Sequence, residues 1–426
     1  MTFSLARRAD RHPDRTAVVD VSEERLYAPA ETVHEDRLSY AELSRLADAV
    51  AGRLAARGIG AGDTVCLVSR NRAASLATLF ACRRLGATLA PISHWLTPAT
   101  VERPFAVLEP DLVVSERAQR DLVRSIPFDR SVTFAELAET ESTDDPNASA
   151  PATDDAGPLL ALHGDGGRPV ATFSEATLEW NCVSAIVAWG ISRTDVVPLL
   201  PPLSAGDALV RVALPVLYAG GELLLDRAFD PGDTVTAMAE REATLLSGRA
   251  GSLADLADDD RFPAALESVD RVLCEGAVPS GVRDTARETE TPVARTFGRL
   301  ECPTAFGGRL DSTAVRAGAD PGPGEPAVGP PMPDCRVRLV EDGEPIPAGR
   351  AGEGRLDLAG RLVADGYVGP PGLLEPEETG PGEETDPLET VATGEGRPRF
   401  SDGWLETDRR VRRDGEGNYH PIAVED

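Results

Sequence analysis

Lysine is missing from this sequence altogether. All 43 basic residues among the 426 are arginine, against 71 aspartates and glutamates, for a formal net charge of -28. So acidic a chain is a poor partner for nucleic acid or an anionic membrane surface, which are held through clustered positive charge. The surface is the kind expected of a halophilic protein, whose carboxylates keep it hydrated while concentrated ions screen their repulsion. Cysteine is sparse: Cys66, Cys82, Cys182, Cys274, Cys302 and Cys335 stand singly. With no CxxC pair and no histidine at ligand spacing, reduced buried thiols are predicted, not a zinc site or a disulfide framework. Long apolar runs are absent too. No stretch reaches the roughly 18 apolar residues of a membrane span, and the N-terminus has no apolar signal region, which points to a cytoplasmic protein. The histidines His12, His34, His94, His163 and His420 are scattered, and no GxSxG motif marks a hydrolase.

What is present is apolar patterning sufficient for several packed layers, 41% hydrophobic over a long chain. Residues 1–139 predict a first α/β subdomain. Tyr40 to Ile59 carries apolar residues at helical spacing, Val65 to Val68 is a short buried strand, Ala73 to Leu85 a second helix, and Thr88 to Ile92 the next strand. Strands alternating with helices imply a parallel sheet. Residues 140–157, TESTDDPNASAPATDDAG, have no apolar period and predict a linker or loop, in which the Asn-x-Ser match at Asn147 is fortuitous. Residues 158–318 predict a second α/β subdomain. It opens with a strand at Leu159 to Leu162, a glycine turn, and a helix capped by Ser174 with Leu178, Cys182, Ile186 and Trp189 on one face. Ala208 to Leu217, Glu222 to Leu225 and Val269 to Cys274 also read as strands. From 319 to 426, dense proline and glycine with short strands at Arg336 to Val340 and Gly354 to Leu358 predict a small β-rich subdomain carrying an acidic loop, 373–398. Trp95, Trp180 and Trp189 are expected in the core, and Asp414 to Gly417 is a turn, not a calcium loop.

Several segments in a fixed order resemble the AMP-dependent synthetase, or acyl-CoA synthetase, family. Leu38-Ser39-Tyr40-Ala41-Glu42-Leu43 resembles an early LTYxEL segment, and Gly86-Ala87-Thr88-Leu89-Ala90-Pro91-Ile92 a GAxxxPL strand. Gly164-Asp165-Gly166-Gly167-Arg168 falls where that family carries its phosphate loop, TSGTTGRPKG. Cys274-Glu275-Gly276-Ala277 resembles GGAxL, Phe297-Gly298-Arg299-Leu300-Glu301 resembles YGxTE, and Gly403 to Asp408 resembles GWxxTGD. Val328 to Pro333, Gly352-Glu353-Gly354 and Gly366-Tyr367 are similar to GxVGxPxP, GEI and GY. The resemblance implies two α/β subdomains with mainly parallel sheets packed together, plus a β-rich distorted barrel. It implies a nucleotide site at Gly164, Asp165, Gly166, Gly167, Arg168, Phe297, Gly298 and Asp408, with Glu301 catalytic and holding magnesium. Ser204, Gly276 and Ala277 would border the acyl group. An ungapped match places Arg409 on the ribose-binding position; a one-residue gap places Asp408 there.

The departures concern charge. The hydroxyl positions of the phosphate loop are Asp165 and Gly166, and the lysine position is Val170. A carboxylate about 4 Å from a phosphate costs roughly 4 kcal/mol at an effective dielectric near 20. His163, beside the turn, reads either as an acid–base group or as a loop histidine without that role. The family's C-terminal lid has no counterpart before Asp426, so CoA is not an expected ligand unless a partner supplies that domain. Two readings follow. In the first, adenylation is lost or strongly reduced and the chain binds an acyl group or nucleotide, with ATP or AMP and magnesium held weakly if at all. In the second, an active acyl-adenylate-forming ligase draws its missing cation from arginine and its lid from a partner subunit. Both envisage a small-molecule carboxylate or nucleotide as ligand, with no nucleic acid and no membrane span.

Overall fold

The computed structural model describes residues 3–22, 37–126, 128–141, 157–308, 327–369 and 398–422. Asn147, His34, nearly all of the expected linker and nearly all of the acidic loop at 373–398 lie outside them. Three sheets make the fold. The first has eight strands in the order 302–307, 293–299, 271–275, 245–249, 196–199, 222–225, 16–20 and 38–39. Its interior is parallel, and both edge pairings are antiparallel. The second has seven strands in the order 366–367, 170–173, 160–163, 88–92, 64–68, 112–115 and 131–133, parallel from 160–163 onward. The third is antiparallel, built around strands 335–341, 352–360 and 404–413. This is the expected architecture of two mainly parallel α/β units with a β-rich third. Sheet membership does not follow the chain in blocks, however: Thr16–Asp20 pairs with Glu222–Leu225, and Leu160–His163 with Thr88–Ile92.

Helix Tyr40–Ala56 starts at a capping box in which Ser39 Oγ accepts from the Glu42 N–H and the Glu42 carboxylate accepts from the Ser39 N–H. Its buried residues, Tyr40, Leu43, Ala47, Val50, Ala51 and Leu54, recur every three or four positions and face the core. Helix Ala73–Leu85 has apolar residues on all sides and is buried almost throughout, as a helix enclosed by its neighbours must be. The Tyr40 hydroxyl donates to Gly221 O at 2.6 Å, tying the early helix to the first sheet.

Three expectations are corrected. The run Ala208 to Leu217 is helical, not a strand: Gly206–Ala208, a π turn at Leu209–Ala213 and Leu214–Ala219 follow one another. A run apolar on every side suits a buried helix as well as a buried strand, and periodicity does not separate them. The glycine turn after His163 leads not into a helix but into a further strand, Val170–Phe173, antiparallel to Leu160–His163; only then does Ser174 cap helix Glu175–Trp189. Trp95 also departs from its expected place in the core, being 68% exposed, whereas Trp189 is buried. All six thiols are unpaired and buried, at least one in each sheet. No helix among the described residues is long and apolar enough to cross a membrane.

Fully buried Asn181 joins three elements. Its amide donates to Thr177 O at 2.9 Å and Leu362 O at 3.1 Å, and its oxygen accepts from the Thr304 hydroxyl. An Asn181→Leu variant would leave Leu362 O and Thr304 without that partner, and should lose about 1–3 kcal/mol of stability in a urea titration. A loss under about 0.5 kcal/mol would show that water or a neighbour replaces these bonds.

Candidate functional site

In open α/β sheets, ligands bind beyond the carboxyl ends of the strands. Here that edge of the first sheet carries Arg249, Glu275 and the 297–301 segment, ending strands 245–249, 271–275 and 293–299. The hairpin around residues 164–169 belongs to the second sheet. The two meet through Gly206, where an added Cβ would stand 3.0 Å from Pro303 Cγ and 3.5 Å from Leu162 Cδ1.

The 164–169 turn is tightly built. Gly164 N–H donates to Pro169 O at 2.9 Å, and Gly167 N–H to Gly164 O at 2.8 Å. Gly167 has φ +86°, and a side chain there would press on Pro104 Cδ at 2.9 Å and Thr100 O at 3.0 Å, so glycine is required by both backbone and space. Arg168 lies against helix Pro98–Leu108, its Nε donating to Arg103 O at 3.2 Å. Asp165 and Gly166 are exposed at the tip. His163 is buried under the turn: Nδ1–H donates to Gly164 O at 2.7 Å, and Nε2 accepts the Ser93 N–H at 3.0 Å. Burial lowers its pKa below 6.5, outweighing the opposing Gly164 bond and Asp165 charge. His163 therefore serves as a neutral brace for the turn.

Tyr367 and Arg299 meet Glu301, and Asp408 joins them through Arg299. The edge strand Gly366–Tyr367 pairs with Val170–Phe173 and so brings Tyr367 to Glu301, whose Oε1 accepts the phenol hydroxyl at 2.6 Å. Glu301 is 2% exposed, and its Oε2 lacks a hydrogen bond. Arg299 Nε lies 3.5 Å from that oxygen, and Arg299 Nη2 lies 2.7 Å from Asp408 Oδ1. Asp408 is aimed there by a bulge in strand 404–413, where Thr407 to Arg409 stand opposite Leu356 alone and the Thr407 hydroxyl donates to Leu356 O at 2.6 Å. Of the two residues offered for the ribose position, Asp408 reaches the Arg299 guanidinium that faces Glu301, and both Asp408 and Arg409 are exposed.

The remaining named residues lie along the first sheet's edge. Phe297 packs edge-on against Phe306, with centroids 5.9 Å apart. Gly298 leaves no space for a side chain, since a Cβ would overlap Pro303 O and Arg211 Nη2. Arg211, buried in the π turn, donates to Pro303 O and to Glu275 Oε2, each at 2.7 Å. Gly276 is half-buried, its carbonyl accepting Arg295 Nε at 2.6 Å, while Ala277 is exposed. Ser204 is buried, next to Leu203, whose N–H donates to Asn71 Oδ1 at 2.8 Å. Arg249 is paired with Asp207, and its pKa is raised first by that bond, with Glu275 and Asp165 adding to it. Arg211, Arg299 and Tyr367 escaped assignment from the sequence. The signals were a lone arginine inside an apolar run and an arginine two residues before a carboxylate.

A family model described as AMP-binding enzyme matches residues 5–368. Feruloyl-CoA synthases of Amycolatopsis sp and Streptomyces sp are each 29% identical over 390 residues, covering 90% of this chain and 73% of theirs. Indoleacetate–CoA ligase of Aromatoleum aromaticum is 27% identical over 405 residues, covering 90% of this chain and 72% of its own. Among solved structures, o-succinylbenzoate CoA synthetase of Bacillus subtilis in complex with ATP and magnesium superposes with a TM-score of 0.75 at 18% identity, over 99% of this chain and 79% of that one. The N-terminal domain of FACL13 from Mycobacterium tuberculosis reaches 0.79 at 18% identity, over 99% and 98%.

Two outcomes test this geometry. Gly298→Ala should force the 293–307 hairpin away from Arg211 and cost about 1–3 kcal/mol in thermal or chemical denaturation; an unchanged midpoint would show that the hairpin yields freely. His163 is held neutral in the fold but takes up a proton near its ordinary pKa when unfolded, so its contribution, present above pH 6.5, is lost as pH falls from there toward its lowered folded pKa. Wild-type stability should therefore drop more between pH 7.5 and pH 5 than that of His163→Asn. Parallel pH profiles would contradict the neutral brace.

Proposed function

The chain belongs to the AMP-binding enzyme family, and from that premise we propose that it is a cytoplasmic acyl-CoA-ligase-like protein that binds an acyl group or nucleotide while its adenylation step is lost or strongly reduced. One observation carries this reading: the turn that would wrap a triphosphate is rigid and offers the exposed carboxylate of Asp165 at its tip, in a chain without lysine. Adenylation attacks the α-phosphate of ATP with a carboxylate and expels pyrophosphate, so negative charge must be neutralised on both reactants. Three arginines along the cleft are already paired with carboxylates. Arg249 holds Asp207, Arg211 holds Glu275, and Arg299 holds Asp408. Redirecting any of them toward a phosphate would strand the carboxylate it now serves.

In this reading Phe297 and Gly298 border the base, Asp408 the ribose, and Gly164 to Arg168 the phosphates. Ser204, Gly276 and Ala277 border a small carboxylic acid, of the arylated kind named in the feruloyl and indoleacetate relatives. A second reading, an active acid–CoA ligase using arginine as its cation, draws support from Arg249, which lies within electrostatic reach of Asp165.

Calorimetry with ATP and magnesium in high salt should show a Kd weaker than about 1 mM, and carboxylate-dependent ATP–pyrophosphate exchange should stay at background. Near-micromolar ATP binding with robust exchange would establish the second reading. Because Asp165 is exposed, its repulsion of a phosphate is nearer the about 1 kcal/mol of a watery surroundings than the larger figure for a sheltered one. Asp165→Asn should accordingly tighten ATP by about fivefold; no change would remove Asp165 from the account.

A further inference from the structure

We infer that the Arg299 guanidinium is itself the cation of this cleft, so that Glu301 and Asp408 take no divalent metal and a nucleotide bound here is bound without one. The residues do not fit magnesium. That ion keeps several waters and is held by a protein through one or two carboxylates, whereas here Glu301 Oε1 is engaged by the Tyr367 hydroxyl and Asp408 Oδ1 by Arg299 Nη2. Oε2 of Glu301 is the buried oxygen without a hydrogen bond, and it looks onto Arg299 Nε, itself without one, at 3.5 Å. A divalent ion placed on Oε2 would meet a guanidinium that is always charged, and would gain a single carboxylate oxygen in return.

Arg299 is suited to permanent residence. It reaches one carboxylate with a terminal nitrogen and faces the other with Nε, a planar two-sided engagement that a lysine ammonium does not reproduce. Its side chain is 13% exposed and that of Glu301 2%, so solvent does little to screen their attraction. The supports come from separate directions. The bulge at Thr407 to Arg409 delivers Asp408, and the strand added to the glycine-turn hairpin delivers Tyr367. Arg299 is thus a specificity-determining residue, setting which charge the cleft accepts.

The nucleotide part of this inference rests on the functional reading above; the metal part rests on the residues alone, and two measurements keep them apart. Bound manganese is counted by electron paramagnetic resonance in concentrated monovalent salt, on the full chain. Wild type and Glu301→Gln should bind equal numbers of ions. Arg299→Gln should gain one site, Arg299→Gln/Glu301→Gln should lose it again, and Arg299→Lys should keep the wild-type count. Wild type binding one ion more than Glu301→Gln, or Arg299→Gln gaining none, overturns the inference. Should Arg299→Gln fail to fold by thermal melting, the comparison of wild type with Glu301→Gln decides. AMP is then titrated with chelator or with magnesium. Affinities within twofold support metal-free binding, and a tenfold gain from magnesium overturns it. No AMP binding under either condition removes the nucleotide from the cleft, while the manganese count still judges Arg299.

Discussion

A carboxylate taken out of water must find a counter-charge or hydrogen bonds, or the fold carries a cost of several kcal/mol. Glu301 is this protein's clearest case, and much of the cleft is arranged around satisfying it. The Tyr367 hydroxyl covers one oxygen and the Arg299 guanidinium stands before the other. Because Tyr367 rides on the strand that extends the glycine-turn hairpin, and Arg299 holds Asp408 of the third sheet, Glu301 and Arg299 together link all three sheets. A residue so connected restrains the relative placement of the lobes as well as bordering the cleft between them.

The same habit recurs at several other buried carboxylates. Asp357 is wholly buried and takes Arg338 and Arg355 at 2.9 Å each; Glu116 takes Arg70 and Arg72; Asp195 takes Arg271. Guanidinium suits these places because it is planar, weakly hydrated and offers several donors in a fixed fork, while an ammonium is a compact and strongly hydrated point charge. A chain restricted to arginine therefore builds its interior ion pairs without difficulty. What it gives up is the flexible point charge with which phosphate sites are commonly furnished.

Long periodic elements were legible from residue order. Helix Ala73–Leu85 and strand Thr88–Ile92 fall on their predicted bounds, and Ser174 caps its helix as its neighbours suggest. Strand Val170–Phe173 was not legible, because four residues after a glycine turn carry too little period to register, and the run at 208–217 is apolar on every side. At the cleft, the glycine turn and the Phe297 to Glu301 segment stood out through their resemblance to family motifs in a fixed order. The partnership of Arg299 with Asp408 did not, since the two are more than a hundred residues apart in sequence and are joined only by the bulge that redirects Asp408.

The six buried thiols have a practical side. Cys66 sits in the second sheet, Cys274 and Cys302 in the first, Cys335 in the third, Cys82 and Cys182 in helices, and none is paired. Burial pushes the Cys82 thiol up to about 12 and Cys274 to about 11, so these two show alkylating reagents almost no thiolate in the native chain. Each cysteine becomes reactive only when its own layer opens. The native sequence thus carries its own set of footprinting probes, and the order in which they are modified would chart how the three layers come apart.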